Sequence, residues 1–153
     1  RGEKEPDDGF IKLYQNGGIG YVHPDKIVKN KDLLPFYKVF IPPLGSGSDS
    51  FPHMILGKPF IGEPGSACTE TYLIAGLFES KIEAENCISY LKTKFLRFLV
   101  LLNKPAQHAT SKVYKYVPKQ DFKQTWNDEK LFKKYNINLE EDSFIKSLVR
   151  EMD

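Results

Sequence analysis

Lys104-Pro-Ala-Gln-His-Ala-Thr-Ser-Lys112 sets an amide, an imidazole, two hydroxyls and two ammonium groups into nine consecutive residues. Gln107, His108, Thr110 and Ser111 can donate to phosphate oxygens or read base edges, and a glutamine can pair bidentately with adenine. Lys104 and Lys112 stand at the two ends, where ammonium groups can clamp flanking phosphates, and Lys115 follows. This loop lies in an acid-free window: from Asn86 to Gln120 there are seven positive charges and no Asp or Glu. The whole chain carries only +2, so its charge is polarised rather than uniformly basic. A one-sided cationic surface is the footprint of polyanion binding, most often to a nucleic-acid backbone. The plainer alternative is a solvated charged helix and a loop whose Gln107 and Thr110 satisfy their own backbone.

Other chemistry is thinly represented. Neither GxGxxG nor GxxxxGK[ST] occurs, and Gly45-Ser-Gly-Ser48 lacks the lysine and helix of a phosphate loop. No GxSxG elbow is present, and His23, His53 and His108 are scattered without HExxH spacing. Glu79-Ser-Lys81 matches half of a nuclease metal site, with Asp49 as a conceivable second carboxylate, but the tripeptide is short enough to arise by chance. Cys68 and Cys87 have no CxxC partner, so they read as buried free thiols in a reducing cytoplasm, and no zinc site is expected.

At 153 residues the chain suits one domain, large enough to bury about two-thirds of its unfolded surface. Apolar residues at 41% and charged residues at 27% argue against disorder, and no apolar run is long enough to span a membrane. The polar start, Arg1 to Gly9, reads as a linker on a domain excised from a longer protein, with the domain itself over 10–153.

The elements that must carry the loop follow from patterning. Phe10–Tyr14 and Ile19–Val22 flank Gln15-Asn-Gly-Gly18, a hairpin turn rich in residues that tolerate positive φ. Tyr37–Ile41 is a strand closed by Pro42-Pro43, and Leu44–Ser50 is a loop of small polar residues. Ser46 and Ser48 of that loop, with Lys38 of the preceding strand, join the candidate DNA contacts. His53–Leu56 and Pro59–Ile61 are short strands, and Ala67–Gly76 reads as one longer strand buried on both faces in its second half. Ser80-Lys-Ile-Glu83 predicts a capping box opening one long helix to Asn103, which Pro105 ends. Along it, Phe95, Phe98, Leu99 and Leu102 are expected to pack on the Tyr37–Ile41 and Thr71–Ala75 strands. Lys112–Val117 alternates as an exposed strand, and Asn127 and Asn138 open two short helices. The order gives an α+β fold: a mixed, mostly antiparallel sheet, one long central helix and short C-terminal helices.

Three blocks carry a family resemblance: Tyr37-Lys-Val-Phe-Ile-Pro42, Lys58 to Tyr72, and Ala84 to Pro118. The last includes Ala84-Glu-Asn86, Tyr90 to Leu99, Lys104, Gln107, Thr110, Lys112-Val-Tyr114 and Val117-Pro118; Trp126 to Tyr135 adds a fourth block. Together they resemble the C-terminal region of bacterial restriction–modification proteins, namely adenine-specific DNA methylases and fused restriction–methylation enzymes with a TaqI-like specificity domain. The likeness runs from about Phe10 to Met152. It implies a type II target-recognition domain that binds double-stranded DNA beside the methylase core of its parent chain. It also implies S-adenosylmethionine as the parent's cofactor. The glycine-bearing cofactor motif and the Asn/Asp-Pro-Pro-Tyr/Phe motif of such methylases are missing, since Pro42-Pro43 has no Asn or Asp before it. This stretch is therefore expected to bind DNA without catalysis and without a cofactor or metal of its own. The alternatives are a domain that docks on another subunit and a metal-dependent nuclease.

Overall fold

Asn16-Gly17 closes the first hairpin as the sequence predicts: Gly17 and Gly18 take φ of +90° and +126°, which a side chain would resist. The hairpin joins β1 (Ile11–Gln15) to β2 (Gly18–Val22) antiparallel. The computed structural model describes residues 1–44, 50–103, 114 and 117–153. Within them come β3 (Tyr37–Ile41), β4 (Phe60–Gly62), β5 (Ser66–Cys68) and β6 (Leu73–Phe78). Four helices follow: α1 (Lys81–Leu91), α2 (Lys94–Leu102), α3 (Asp128–Lys134) and α4 (Leu139–Leu148). The class is α+β, as expected.

Among the described residues two three-stranded sheets form, ordered β2-β1-β5 and β4-β3-β6. All pairings are antiparallel except β1 with β5. The stretch read as one strand from Ala67 is therefore two, β5 and β6, lying in different sheets. Strand β3 is buried on both faces. Phe40 meets Tyr14 and Phe60 edge-on, at ring separations of 5.5 and 5.6 Å, which knits the two sheets together. Val39 and Ile41 enter the main core with Ala84, Cys87 and Leu91 of α1. Gly62 is required where β4 crosses Phe40, because a Cβ there would collide with the ring. The second half of the predicted long strand is not buried on both faces: Ile74 and Leu77 of β6 are about two-fifths exposed.

The predicted long helix is broken. Thr93 ends α1 and begins α2: its hydroxyl donates to Tyr90 O at 2.7 Å and accepts from Leu96 N at 3.2 Å. The helix halves consequently face different neighbours, α1 against β3 and β6, α2 against α3 and α4. Phe95 is buried as expected, but Phe98 is only half-buried against Phe144, and Leu102 points to solvent. Ser80 caps α1 through Glu83 N, while the full reciprocal capping box forms at Asn138 and Glu141.

The linker assigned to residues 1–9 is docked at its start. Glu3 exchanges two 2.8 Å backbone hydrogen bonds with Tyr21, and Gly2 N donates to Gln15 Oε1 at 2.7 Å. Among the described residues, no helix is long and apolar enough to cross a membrane.

Both cysteines are free. Burial pushes the Cys87 thiol up to about 12. Burial likewise raises Cys68 to about 11, against the pull of the nearby Lys38 ammonium. Since the thiolate is the nucleophile, Cys87 should resist iodoacetamide at pH 7.5 in the native protein, with both thiols reacting readily in guanidinium. Equal native and denatured labelling rates at Cys87, read by mass spectrometry, would contradict its place in the core.

Candidate nucleic-acid interface

Helix α1 presents a row of polar side chains to the strap that runs from Pro118 to Trp126. Asn86, buried, donates from Nδ2 to Phe122 O at 2.8 Å. Tyr90, one helical turn on, donates its hydroxyl to Pro118 O at 2.7 Å. Ser89 Oγ accepts from Trp126 N at 2.9 Å, and the Trp126 indole donates to Asp121 O at 2.9 Å. Burial raises the Tyr90 hydroxyl to about 12, so it stays a donor at neutral pH. The strap is thus fixed by uncharged hydrogen bonds at both ends and in the middle.

The N-terminus of α2 is closed by a residue far along the chain. Asp128 accepts from Lys94 N at 3.1 Å and Phe95 N at 2.9 Å, setting a carboxylate on the positive end of the helix. Phe95 in turn stacks on Tyr135, with ring centroids 5.1 Å apart. The C-terminal end of α2 and the start of the strap therefore bracket residues 104–116 from a common scaffold.

The acid-free window is less cationic on the surface than in the sequence. Arg97 is completely buried. Its Nε donates to Lys92 O and Thr93 O at 3.1 and 3.2 Å, Nη2 to Lys92 O at 2.8 Å, and Nη1 to Arg150 O at 2.7 Å and Met54 O at 3.3 Å. Lys94, mostly buried, pairs with Glu151 at 3.0 Å. Of the seven charges, two are thus committed inside the molecule, while Lys119 is exposed on the strap.

Lys38 is a correction. It is only 2% exposed, and its Nζ donates to three carbonyls, Leu33, Leu34 and Phe36, at 3.4, 3.2 and 2.8 Å. An ammonium with three donors is saturated by this set. It closes the turn after the 3-10 segment Lys31–Leu33 and cannot reach a phosphate. Its neighbour in the strand, Phe40, shares the same face, which explains why a lysine there points inward.

The remaining candidates, Ser46, Ser48, Lys104, Gln107, His108, Thr110, Ser111, Lys112 and Lys115, lie outside the described residues, as does Asp49. So does the predicted strand Lys112–Val117 apart from Tyr114 and Val117, which are half-buried against the core. Glu79 is exposed, and Lys81 pairs with Glu63 at 3.9 Å rather than joining a carboxylate cluster. Four cations missed by the charge window lie just beyond it: Asp121 ends the acid-free run, which hides Lys123, Lys130, Lys133 and Lys134.

No family model, curated protein or solved structure matches this chain.

Proposed function

We propose that this chain is a DNA target-recognition domain of a restriction–modification adenine methyltransferase or fused restriction enzyme. In this reading it works in the bacterial cytoplasm, beside a methylase core that binds S-adenosylmethionine. It holds double-stranded DNA and performs no chemistry itself. The observation that carries the reading is the bracing of both sides of residues 104–116: α2 on one, and on the other the strap tied to Tyr90 and Asn86. Side chains that discriminate bases need a rigid mount, because each good contact is worth only ~1–3 kcal/mol and is lost with small displacements. Six of the described residues behind the family resemblance serve that mount. Asn86, Tyr90, Thr93, Arg97, Trp126 and Asp128 all make the framework hydrogen bonds given above.

The test is duplex binding by fluorescence anisotropy across salt concentrations. Lys104→Ala and Lys112→Ala are expected to weaken binding to every duplex and each to lower the salt slope by about one. Gln107→Ala, placed in the full-length parent, is expected to relax discrimination at one base pair while sparing nonspecific binding. Wild-type behaviour of all three on cognate and random duplexes would remove this loop as the reading surface. Incubation with S-adenosylmethionine, magnesium and plasmid is expected to leave the DNA unchanged. Cutting abolished by Glu79→Gln would favour the nuclease instead.

A second reading has its own observation. Ile74 and Leu77 on β6 are exposed and apolar beside a cleft of about 640 Å³ that Phe78, Val117 and Phe122 also line. Such a face suits docking on another subunit. A chain that binds no DNA at low salt, yet protects β6 amides from exchange when mixed with the methylase core, would establish it.

A further inference from the structure

We infer that the strap and α3 carry a second group of cations, Lys119, Lys123, Lys130 and Lys134, the last two pre-ordered, which receives the phosphate backbone of duplex DNA. The inference rests on the DNA-binding reading above, but none of its lysines is among the DNA contacts that reading assigns.

Lys31, Lys81, Lys94 and Lys146 each have a carboxylate oxygen within 3.9 Å. The strap and α3 hold five lysines, Lys133 being the fifth; all are exposed, and among the described residues none has an ion-pair partner. Two of them are nevertheless held. Lys134 Nζ donates to Gln120 Oε1 at 2.6 Å and lies 5.0 Å from the centre of the Trp126 ring. Lys130, one turn earlier on the same face of α3, donates to Thr125 O at 2.8 Å. The Gln120 amide is itself oriented, donating to Tyr135 Oη at 2.8 Å and Tyr90 Oη at 3.4 Å.

A carboxylate partner would order a lysine and cancel its charge. An amide oxygen, a carbonyl and an aromatic face order it and leave the charge in place. The nearby acids are accounted for. Asp128 is turned onto the amides of α2, and Asp121 accepts the Lys123 amide at 2.9 Å. Glu129, exposed in the first turn of α3, is the remaining carboxylate of this stretch. Rigid, uncancelled ammonium groups next to neutral donors suit a ligand made of repeated single negative charges. They lose little side-chain freedom on binding and release counterions from that ligand.

The experiment uses the full chain, a fluorescein-labelled random 20-base-pair duplex and anisotropy at several sodium chloride concentrations. Two variants divide the group: Lys119→Gln/Lys123→Gln on the strap and Lys130→Gln/Lys134→Gln on α3. Each pair is expected to lower the salt slope by about two and to raise Kd roughly tenfold or more near 0.1 M salt. Lys130→Arg/Lys134→Arg keeps charge and is expected to bind within about twofold of wild type. Thermal melts keep the strap pair interpretable even if the α3 pair loses stability. Unchanged Kd and slope in both Gln pairs, while Lys104→Ala/Lys112→Ala binds weakly, would overturn this inference and leave the recognition reading standing. An Arg pair as weak as the Gln pair, with an intact melt, would also overturn it. A wild-type chain with no salt-dependent affinity would sink both.

Discussion

Arg97→Ala is expected to cost ~3–4 kcal/mol, a large share of the 5–15 kcal/mol that holds a typical domain together. The guanidinium joins three separate parts of the chain: the α1–α2 junction through Lys92 O and Thr93 O, the His53–Ile55 segment through Met54 O, and the C-terminal segment through Arg150 O. Two of those acceptors keep another donor after truncation, since Thr93 O receives Arg97 N and Met54 O receives Leu56 N. Lys92 O loses both of its guanidinium donors, at about 1–3 kcal/mol for a stranded buried acceptor, and Arg150 O loses its 2.7 Å bond. The loss of the aliphatic stem adds a cavity. Relief from burying a cation works in the other direction, which keeps the figure below the sum of those costs.

The clamp also bears on local strain. Ile55, a buried β-branched residue, sits at φ +76°, a conformation that costs about 1–3 kcal/mol and persists only where its surroundings enforce it. Arg97 holds the residue before it. Arg97→Lys keeps charge but offers fewer donors with no planar fork, so an intermediate loss is expected. Trp126, the single tryptophan, is buried and reports unfolding by fluorescence in a urea titration. An Arg97→Ala midpoint within about 1 kcal/mol of wild type would refute the clamp.

Arg97 brings no acid or neutral pH dependence. Burial, only partly countered by Asp128 and Glu151, pulls its pKa down to about 10 from the ordinary 12.5. The unfolded chain therefore binds the extra proton only between those two values. Stability from this group rises with pH across that alkaline window, and below it the burial cost is constant. A stability profile that changes between pH 6 and 9 must come from other groups.

The elements that were legible are those whose signals are local. Asn-Gly-Gly fixes the first hairpin, Pro42-Pro43 closes β3, and asparagines at 127 and 138 open α3 and α4 because side-chain caps act within three residues. What was hidden depends on partners distant in sequence. Lys38 and Arg97 announce charge in the sequence, and only the folded chain supplies the three carbonyls that satisfy one and the four that satisfy the other. In the sequence β5 and β6 run together because apolar residues continue past Thr71, although the chain leaves one sheet for the other at Thr69–Tyr72. For the interface, the loop and its lysines were readable as chemistry. The fixing of the strap that follows it was not, because Asn86 and Phe122 lie 36 residues apart.

Leu96→Ala tests the most consequential of these hidden features, the break at Thr93. A continuous helix from Ser80 would lay Phe98, Leu99 and Leu102 on the sheet, making Phe98→Ala the costly change. The break turns α2 so that Leu96 and Val100 are fully buried, with Phe98 half-buried and Leu102 61% exposed. Deleting a fully buried leucine side chain costs ~3–4 kcal/mol through lost transfer energy and an unfilled cavity. The same deletion at Leu102 removes mostly solvent-facing area and should cost under ~1 kcal/mol. Phe98→Ala falls between them, because its ring is shared with Phe144 at 6.0 Å on a partly open surface. The rank Leu96, Phe98, Leu102 in urea unfolding free energy is the expected result; Leu102 equal to or above Leu96 would restore the unbroken helix. Thr93→Ala makes the cause explicit. It removes the hydroxyl that both accepts from Leu96 N and donates to Tyr90 O, at a cost of about 1–2 kcal/mol. A stabilised Thr93→Ala would mean that the two helices prefer to be one.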